Sequence, residues 1–203
     1  MEIVGNTIFE AWRKSIKKLT ASSDIVPTER GDDTYELLNT VLLIKNPMKD
    51  RDKLLNFEIS RGIDYTSDQY KDYWDTFRKK AKLFSRSKFK QQERVVEKLK
   101  NSEYNRHGYI SIWNPSDDLG NTNYPSCIIG LYFLIRNGKL NMTAILRSND
   151  AWGQALNDIY EITKVQNEIA EQLQIEVGAY THYTMSYHLY SHDYQEAVRL
   201  LQP

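Results

Sequence analysis

With one cysteine, Cys127, the chain cannot form an internal disulfide, which excludes the cross-linked scaffolds of small secreted domains and fits a reducing compartment. No apolar run approaches the roughly 18 residues that a bilayer-spanning helix needs. The opening stretch "MEIVGNTIFEAWRKSIKKL" is acidic at Glu2 and amphipathic, unlike a secretory signal. Net charge is missing too: 27 Lys and Arg balance 27 Asp and Glu, so neither nucleic acid nor an acidic membrane is attracted in general. The chain has no P-loop and no GxGxxG. His182, His188 and His192 lie without a second cysteine or an HExxH, so no metal site is expected. A soluble, cytoplasmic protein is the expectation, and 203 residues suffice for one domain, 1–203, with its own core.

What is present is a mixed α/β grammar. Ile8, Trp12, Ile16 and Leu19 recur at helical spacing over 6–19, with Lys and Arg on the other face. "YELLNTVLLIKNP" reads as a strand ending in a turn at Asn46-Pro47. Tyr70, Tyr73, Trp74, Phe77 and Ala81 predict a helix over 66–82, and Phe89, Val96 and Leu99 another over 87–100. Between Arg78 and Lys100 ten basic residues face two Glu, which reads as a solvated helical face rather than a phosphate-binding patch. From 108 onward "GYISIWN", "CIIGLYFLIR" and "KLNMTAILR" predict strands, the last two joined by an Asn137-Gly138 hairpin turn. A helix over 159–173, a strand "AYTHYTMSYHLY" and a short helix over 193–201 close the chain.

Cys127 opens two readings. A lone cysteine in an apolar strand is most often a small buried hydrophobe. The other reading makes it a nucleophile, which needs a positive charge nearby because the thiolate is the reactive form. Arg147, on the returning strand of the hairpin, is placed to provide that charge.

The combination is more specific than its parts. Pro-x-Cys, Arg-Ser-x-Asp twenty residues on, then "GAYTHYTMSYHLYSHD" with its His-x-Tyr, resembles the thymidylate synthase family from about Val95 to Ala197. The resemblance implies a mixed sheet flanked by helices, paired face to face with its twin in a homodimer. It implies that Cys127 adds to the 6-position of a pyrimidine nucleoside monophosphate, turning the 5-position into a carbon nucleophile. Arg147 would hold the phosphate and favour the thiolate, with Ser148 as a further phosphate ligand. His188 and Tyr190 would bind the sugar hydroxyl, and Asp150 would face the pterin of methylenetetrahydrofolate. Arg106 would reach the phosphate in the partner subunit, with His107 where a second arginine is expected.

Counted without gaps, the family's base-reading asparagine falls on Asp158. An asparagine amide offers a donor and an acceptor, matching uracil, whereas an ionised carboxylate suits the amino group of cytosine and a protonated ring nitrogen. Asp158 is thus the pattern of the cytidylate hydroxymethylase branch; a one-residue gap would place Asn157 there and return the reading to uracil. The sequence departs from the family at Ile128, where a histidine commonly follows the nucleophile, and at Leu146, where a glutamine commonly precedes the arginine. The proton-relaying glutamate has a candidate in Glu58, and the usual C-terminal folate-closing tail is not expected within 1–203. The expectation is folate-dependent C5 hydroxymethylation of CMP or dCMP. The alternatives are methylation of dUMP and, in another class, a nucleotide-binding protein that keeps the fold without the reaction.

Overall fold

The computed structural model describes residues 1–22, 24–63, 67–68, 71, 75, 90–119 and 125–202. Its strands are β1 (Glu2–Gly5), β2 (Ile25–Pro27), β3 (Asp33–Ile44), β4 (Gly108–Ser111), β5 (Ile128–Arg136), β6 (Lys139–Asp150) and β7 (Glu176–Tyr190). They form one seven-stranded mixed sheet in the order β1-β3-β7-β6-β5-β4, with β2 added beside β3. Its helices are α1 (Ile8–Thr20), α2 (Arg51–Ser60), α3 (Gln91–Asn101), α4 (Pro115–Asp118), α5 (Ala155–Leu173) and α6 (Tyr194–Leu201). Among the described residues, no helix is long and apolar enough to cross a membrane.

Local chemistry explains the predicted elements. Thr7 caps α1 by accepting from the Glu10 N–H at 3.2 Å, while the Glu10 carboxylate reaches back to the Asn6 N–H at 2.8 Å. The helix buries Ile8, Trp12, Ile16 and Leu19, the stripe read from the sequence. The β5–β6 hairpin turns at Asn137 (φ 53°) and Gly138 (φ 70°), two successive left-handed residues that match the twist of the flanking strands. β6 and β7 are parallel and joined through α5, and β1 and β3 are parallel around α1. α1, α3 and α5 pack against the sheet, with α1 and α3 each also against α5, around Trp12, Leu42, Leu99, Phe133 and Ile162, a continuous buried core.

Four elements were not legible in the sequence: β1, β2, α4 and α2. The last helix starts its buried face only at Leu54 and Glu58, and so has no apolar stripe to read. α5 begins at Ala155, one turn earlier than predicted, because the chain enters it through a turn at 151–154 rather than a capping residue. The helix predicted over 66–82 lies outside the described residues except at 67–68, 71 and 75, and its apolar stripe lies outside them entirely, as does the basic stretch up to Phe89; Val96 and Leu99 are buried on α3 as expected.

One irregularity builds the site. In β6 the fully buried positions run Leu140, Met142, Ala144, Leu146 and then Asn149; in β7 they run Tyr180, His182, Thr184 and then Tyr187, Leu189. The alternation slips by one residue in both strands while their pairing holds, Ser148 opposite Ser186 and Asp150 opposite His188. At the same level of β3, Asn39 adopts φ 50°. The strands therefore turn over together, and Ser148, Asp150, Ser186 and His188 line a cavity instead of entering the core.

Candidate active site

The cavity, of about 750 Å³, is bounded by the loop before β3, the segment 125–128, the ends of β6 and β7, and the first turns of α5. That size suits a nucleotide-sized ligand. Cys127 sits at the head of β5 with its side chain open to the cavity, which removes the reading of a buried filler. Its backbone is held from several sides. Asp118, buried at the end of α4, accepts from the Ser126 N–H at 2.9 Å, and the Trp113 indole donates to the Ser126 carbonyl at 2.8 Å. Arg147 donates through Nε to the same carbonyl at 3.1 Å and through Nη2 to the Pro125 carbonyl at 2.8 Å. The Cys127 carbonyl accepts from the Arg147 N–H at 2.9 Å.

The hairpin thus returns Arg147 to Cys127, and its Nη2 lies 3.8 Å from the Cys127 sulfur. The contact favours the thiolate, as expected, but burial outweighs it. Exclusion of water by the cavity walls pushes the thiol pKa up; Arg147 and Arg30 oppose this, while Asp158 adds to it. The resting group is the thiol. To act as a nucleophile the thiol must pass its proton to a base, and Arg147 beside the sulfur stabilises the thiolate that results.

Asp158 lies in the first turns of α5, 6% exposed, and lines the cavity; Asn157, equally buried, does not. The ungapped register is therefore the one in which the 158 side chain faces the cavity. Burial raises its carboxyl from 3.8 to about 7, with Asp150 adding to the rise and a hydrogen bond from Asn149 Nδ2 at 2.7 Å opposing it. Behind it, Asn149 Oδ1 meets His182 Nε2 at 2.9 Å, and His182 Nδ1 meets the Tyr180 hydroxyl at 2.8 Å. Full burial lowers His182 to about 3, so its imidazole is neutral.

Asp150 reaches the cavity wall with its carboxylate anchored at Oδ1 by the Trp152 and Gly153 N–H groups, both at 3.0 Å. A Cβ at position 153 would stand 2.5 Å from Oδ2, so glycine keeps that oxygen clear. This anchored, unobstructed carboxylate fits the role of facing a pterin. His188 and Tyr190 lie along the end of β7, ring centroids 5.2 Å apart and edge to face, and both line the cavity with Ser148.

Two predicted residues lie away from it. Arg106 is exposed ahead of β4, at the end of that strand farther from Cys127, where its carbonyl accepts from the Tyr132 hydroxyl at 2.8 Å. Glu58 is 2% exposed on α2, paired to Arg61 at 2.8 Å. Arg61 also donates to the Trp152 carbonyl at 3.0 Å and lies over the Trp152 ring, so Glu58 abuts the wall behind Asp150 rather than lining the cavity. Sequence reasoning missed Asp118, Trp113, Arg30 and Glu36. Arg30 and Glu36 line the cavity from the β2–β3 side, and only the Arg-Gly-Asp turn signal at 30–32 hinted that a loop there approaches a site.

A thiol held against an arginine, within a cavity sized for a nucleotide, is an arrangement able to attack a small ligand covalently. The chain belongs to the thymidylate synthase family, whose sequence model matches residues 28–202. A protein of Methanothermobacter marburgensis named "Putative thymidylate synthase" is 28% identical over 219 residues, 99% of this chain and 98% of that protein. A relative of the same name from Methanosarcina mazei is 28% identical over 200 residues, 95% of this chain and 90% of the relative. The deoxyuridylate hydroxymethyltransferase of Bacillus phage SP01 is 34% identical over 125 residues, 60% of this chain and 32% of that protein. The chain is accordingly a one-carbon transferase acting on a nucleotide, in a family that uses methylenetetrahydrofolate.

Proposed function

We propose that the protein hydroxymethylates the 5-position of a cytidylate, CMP or dCMP, with Cys127 adding to the 6-position of the base. The observation that carries this reading is Asp158: a buried carboxyl facing the cavity, within electrostatic reach of the thiol. Cytosine presents an amino donor beside a ring nitrogen acceptor, so it needs a carboxyl and one proton shared between the carboxyl and that nitrogen. A group poised at about 7 supplies that proton at neutral pH. Arg147, Ser148 and Arg30 take the phosphate, and His188 and Tyr190 take the sugar hydroxyl. Methylenetetrahydrofolate supplies the one-carbon unit when bound, with Asp150 as the residue that faces it. Glu58, ion-paired to Arg61 behind Trp152, is the candidate proton-relay carboxylate.

The runner-up is C5 chemistry on dUMP. With its carboxyl raised to about 7, Asp158 is also able to hold a proton near neutral pH, and a neutral carboxyl can donate to a carbonyl and accept from an N–H, as uracil requires. The phage relative's name points to the same base. The site of that carboxyl still favours cytosine, because only with cytosine can the proton sit on either partner. A sheet-face homodimer completes the reading: the face away from the helices exposes Leu38 (64%) and Met185 (41%), and Arg106 would act in the partner's cavity.

Tritium release from 5-labelled nucleotides decides between the bases. Release from cytidylates that depends on methylenetetrahydrofolate supports the reading, and release from deoxyuridylate alone overturns it. With nucleotide binding but no exchange from any substrate, a non-catalytic role would replace it. Asp158→Asn should swing preference toward uridylate by about 10²-fold, the scale of a buried mismatched hydrogen-bonding pair.

A further inference from the structure

The chain Tyr180, His182, Asn149, Asp158 is buried, continuous and directional, and the reading above does not use its first three members. Asn149 donates its amide N–H to Asp158 Oδ2, so its Oδ1 must accept, and the only role left to His182 Nε2 is donor. His182 Nδ1 is then unprotonated and accepts from the Tyr180 hydroxyl. Every donor in the chain thus points toward Asp158. An asparagine amide left to itself is nearly symmetric in shape and can turn over, presenting Oδ1 in place of its N–H. Turned over, it would meet a carboxylate oxygen with an oxygen, an arrangement tolerated only when the carboxyl is protonated.

We propose that His182, fixed by Tyr180 and acting through Asn149, is a positioning residue that orients the Asp158 carboxyl and governs whether it carries a proton, and so helps choose the base. The proposal rests on Asp158 as the base reader. The titratable groups facing Asp158 are Asp150 from β6, His182 and Tyr180 from β7, and Cys127 at the head of β5. Arg147, Arg30, Glu36 and His188 share its cavity. Of these contacts, the Asn149 bond is the one that stabilises the ionised form of Asp158. Uracil is met only by the neutral carboxyl, so a donor held against Asp158 selects against uracil.

The test follows the Asp158 carboxyl directly, by its carbon chemical shift against pH in ligand-free, aspartate-labelled protein, with Asp158→Asn identifying the resonance. His182→Leu should raise the titration midpoint by half a pH unit or more. His182→Gln, whose amide can still donate to Asn149, should return it to within about 0.2 unit of the parent. Tyr180→Phe, a milder change that keeps the ring, should move it in the same direction by less. The ratio of cytidylate to uridylate exchange (kcat/KM at pH 8) should fall at least threefold in His182→Leu and recover in His182→Gln. An unmoved midpoint in folded His182→Leu and Tyr180→Phe overturns the proposal, as does a moved midpoint with an unchanged ratio. If the parent exchanges neither nucleotide, the substrate reading fails by itself, and the carboxyl titration still decides whether His182 governs Asp158.

Discussion

Asp158 and His182 titrate in opposite senses, and removing either should expose the other in the pH dependence of stability. The Asp158 carboxyl is raised from 3.8 to about 7 in the folded protein, so the native state holds a proton that the unfolded chain has lost. Its stabilisation is full below about pH 4 and is lost as pH rises to about 7. His182 is lowered from 6.5 to about 3, so the native state refuses a proton that the unfolded chain takes. Its stabilisation is full above about pH 6.5 and is lost as pH falls to about 3. Each slope is about 1.4 kcal/mol per pH unit at its steepest, with opposite signs, so the two nearly cancel between pH 4 and 6.5. Asp158→Asn should therefore lose about 2 kcal/mol more than the parent on going from pH 6.5 to 5, about 4–8 °C in Tm for a chain of this size. His182→Gln should gain about as much relative to the parent over the same interval. Urea unfolding at the two pH values reads both, and comparison with the parent cancels every other group. If both variants track the parent in parallel, the buried pair is not held in opposite protonation states and the reasoning fails.

Three further outcomes follow from the site. Cys127→Ser should abolish tritium release while leaving nucleotide affinity, read by thermal-shift titration, within about tenfold of the parent; loss of binding with the fold intact would contradict a purely chemical role for the thiol. Gly153→Ala brings a methyl within 2.5 Å of Asp150 Oδ2 and should raise the folate KM about tenfold or more, with nucleotide affinity unchanged; an unaltered folate KM would remove Asp150 from that role. Trp12→Phe removes the 2.6 Å bond from the indole to the Ala151 carbonyl and shrinks a fully buried ring, so urea unfolding should show a loss of about 2–4 kcal/mol. A loss under 0.5 kcal/mol would mean that the carbonyl finds another partner.

Much of the architecture was written in local signals. The Trp12 stripe, the Asn137-Gly138 turn and the alternation of β5 and β6 each carry their own periodicity or dihedral demand, and each element appears where those signals put it. α2 escaped because its burial rests on Leu54 and a charged pair, Glu58 with Arg61, which no hydrophobic pattern reveals. The cavity escaped because it arises from a slip of alternation shared by neighbouring strands. Within β7 alone, "SYHLY" reads as a continuation of "TMSY", and only the pairing with β6 shows that Ser186 and His188 have turned away from the core. The motif residues Cys127, Arg147, Ser148, Asp150, Asp158, His188 and Tyr190 were legible through the family resemblance, and the fold brings them to one cavity. The support around them was not: Asp118 and Trp113 act on the Ser126 backbone through contacts whose partners lie in other elements, and nothing in their own neighbourhoods marks them. The thiol's raised pKa was equally hidden, since sequence shows the arginine but not the walls that exclude water.

The central claim is that Cys127 bonds to the 6-position of a pyrimidine nucleotide during one-carbon transfer. Fluorine at the 5-position cannot leave as a proton does, so a 5-fluorocytidylate incubated with methylenetetrahydrofolate should remain attached to the enzyme. Peptide mass spectrometry should then find the nucleotide and the folate together on the peptide containing Cys127, and not in Cys127→Ser. An unmodified Cys127 under conditions in which the parent releases tritium from cytidylate would contradict the account.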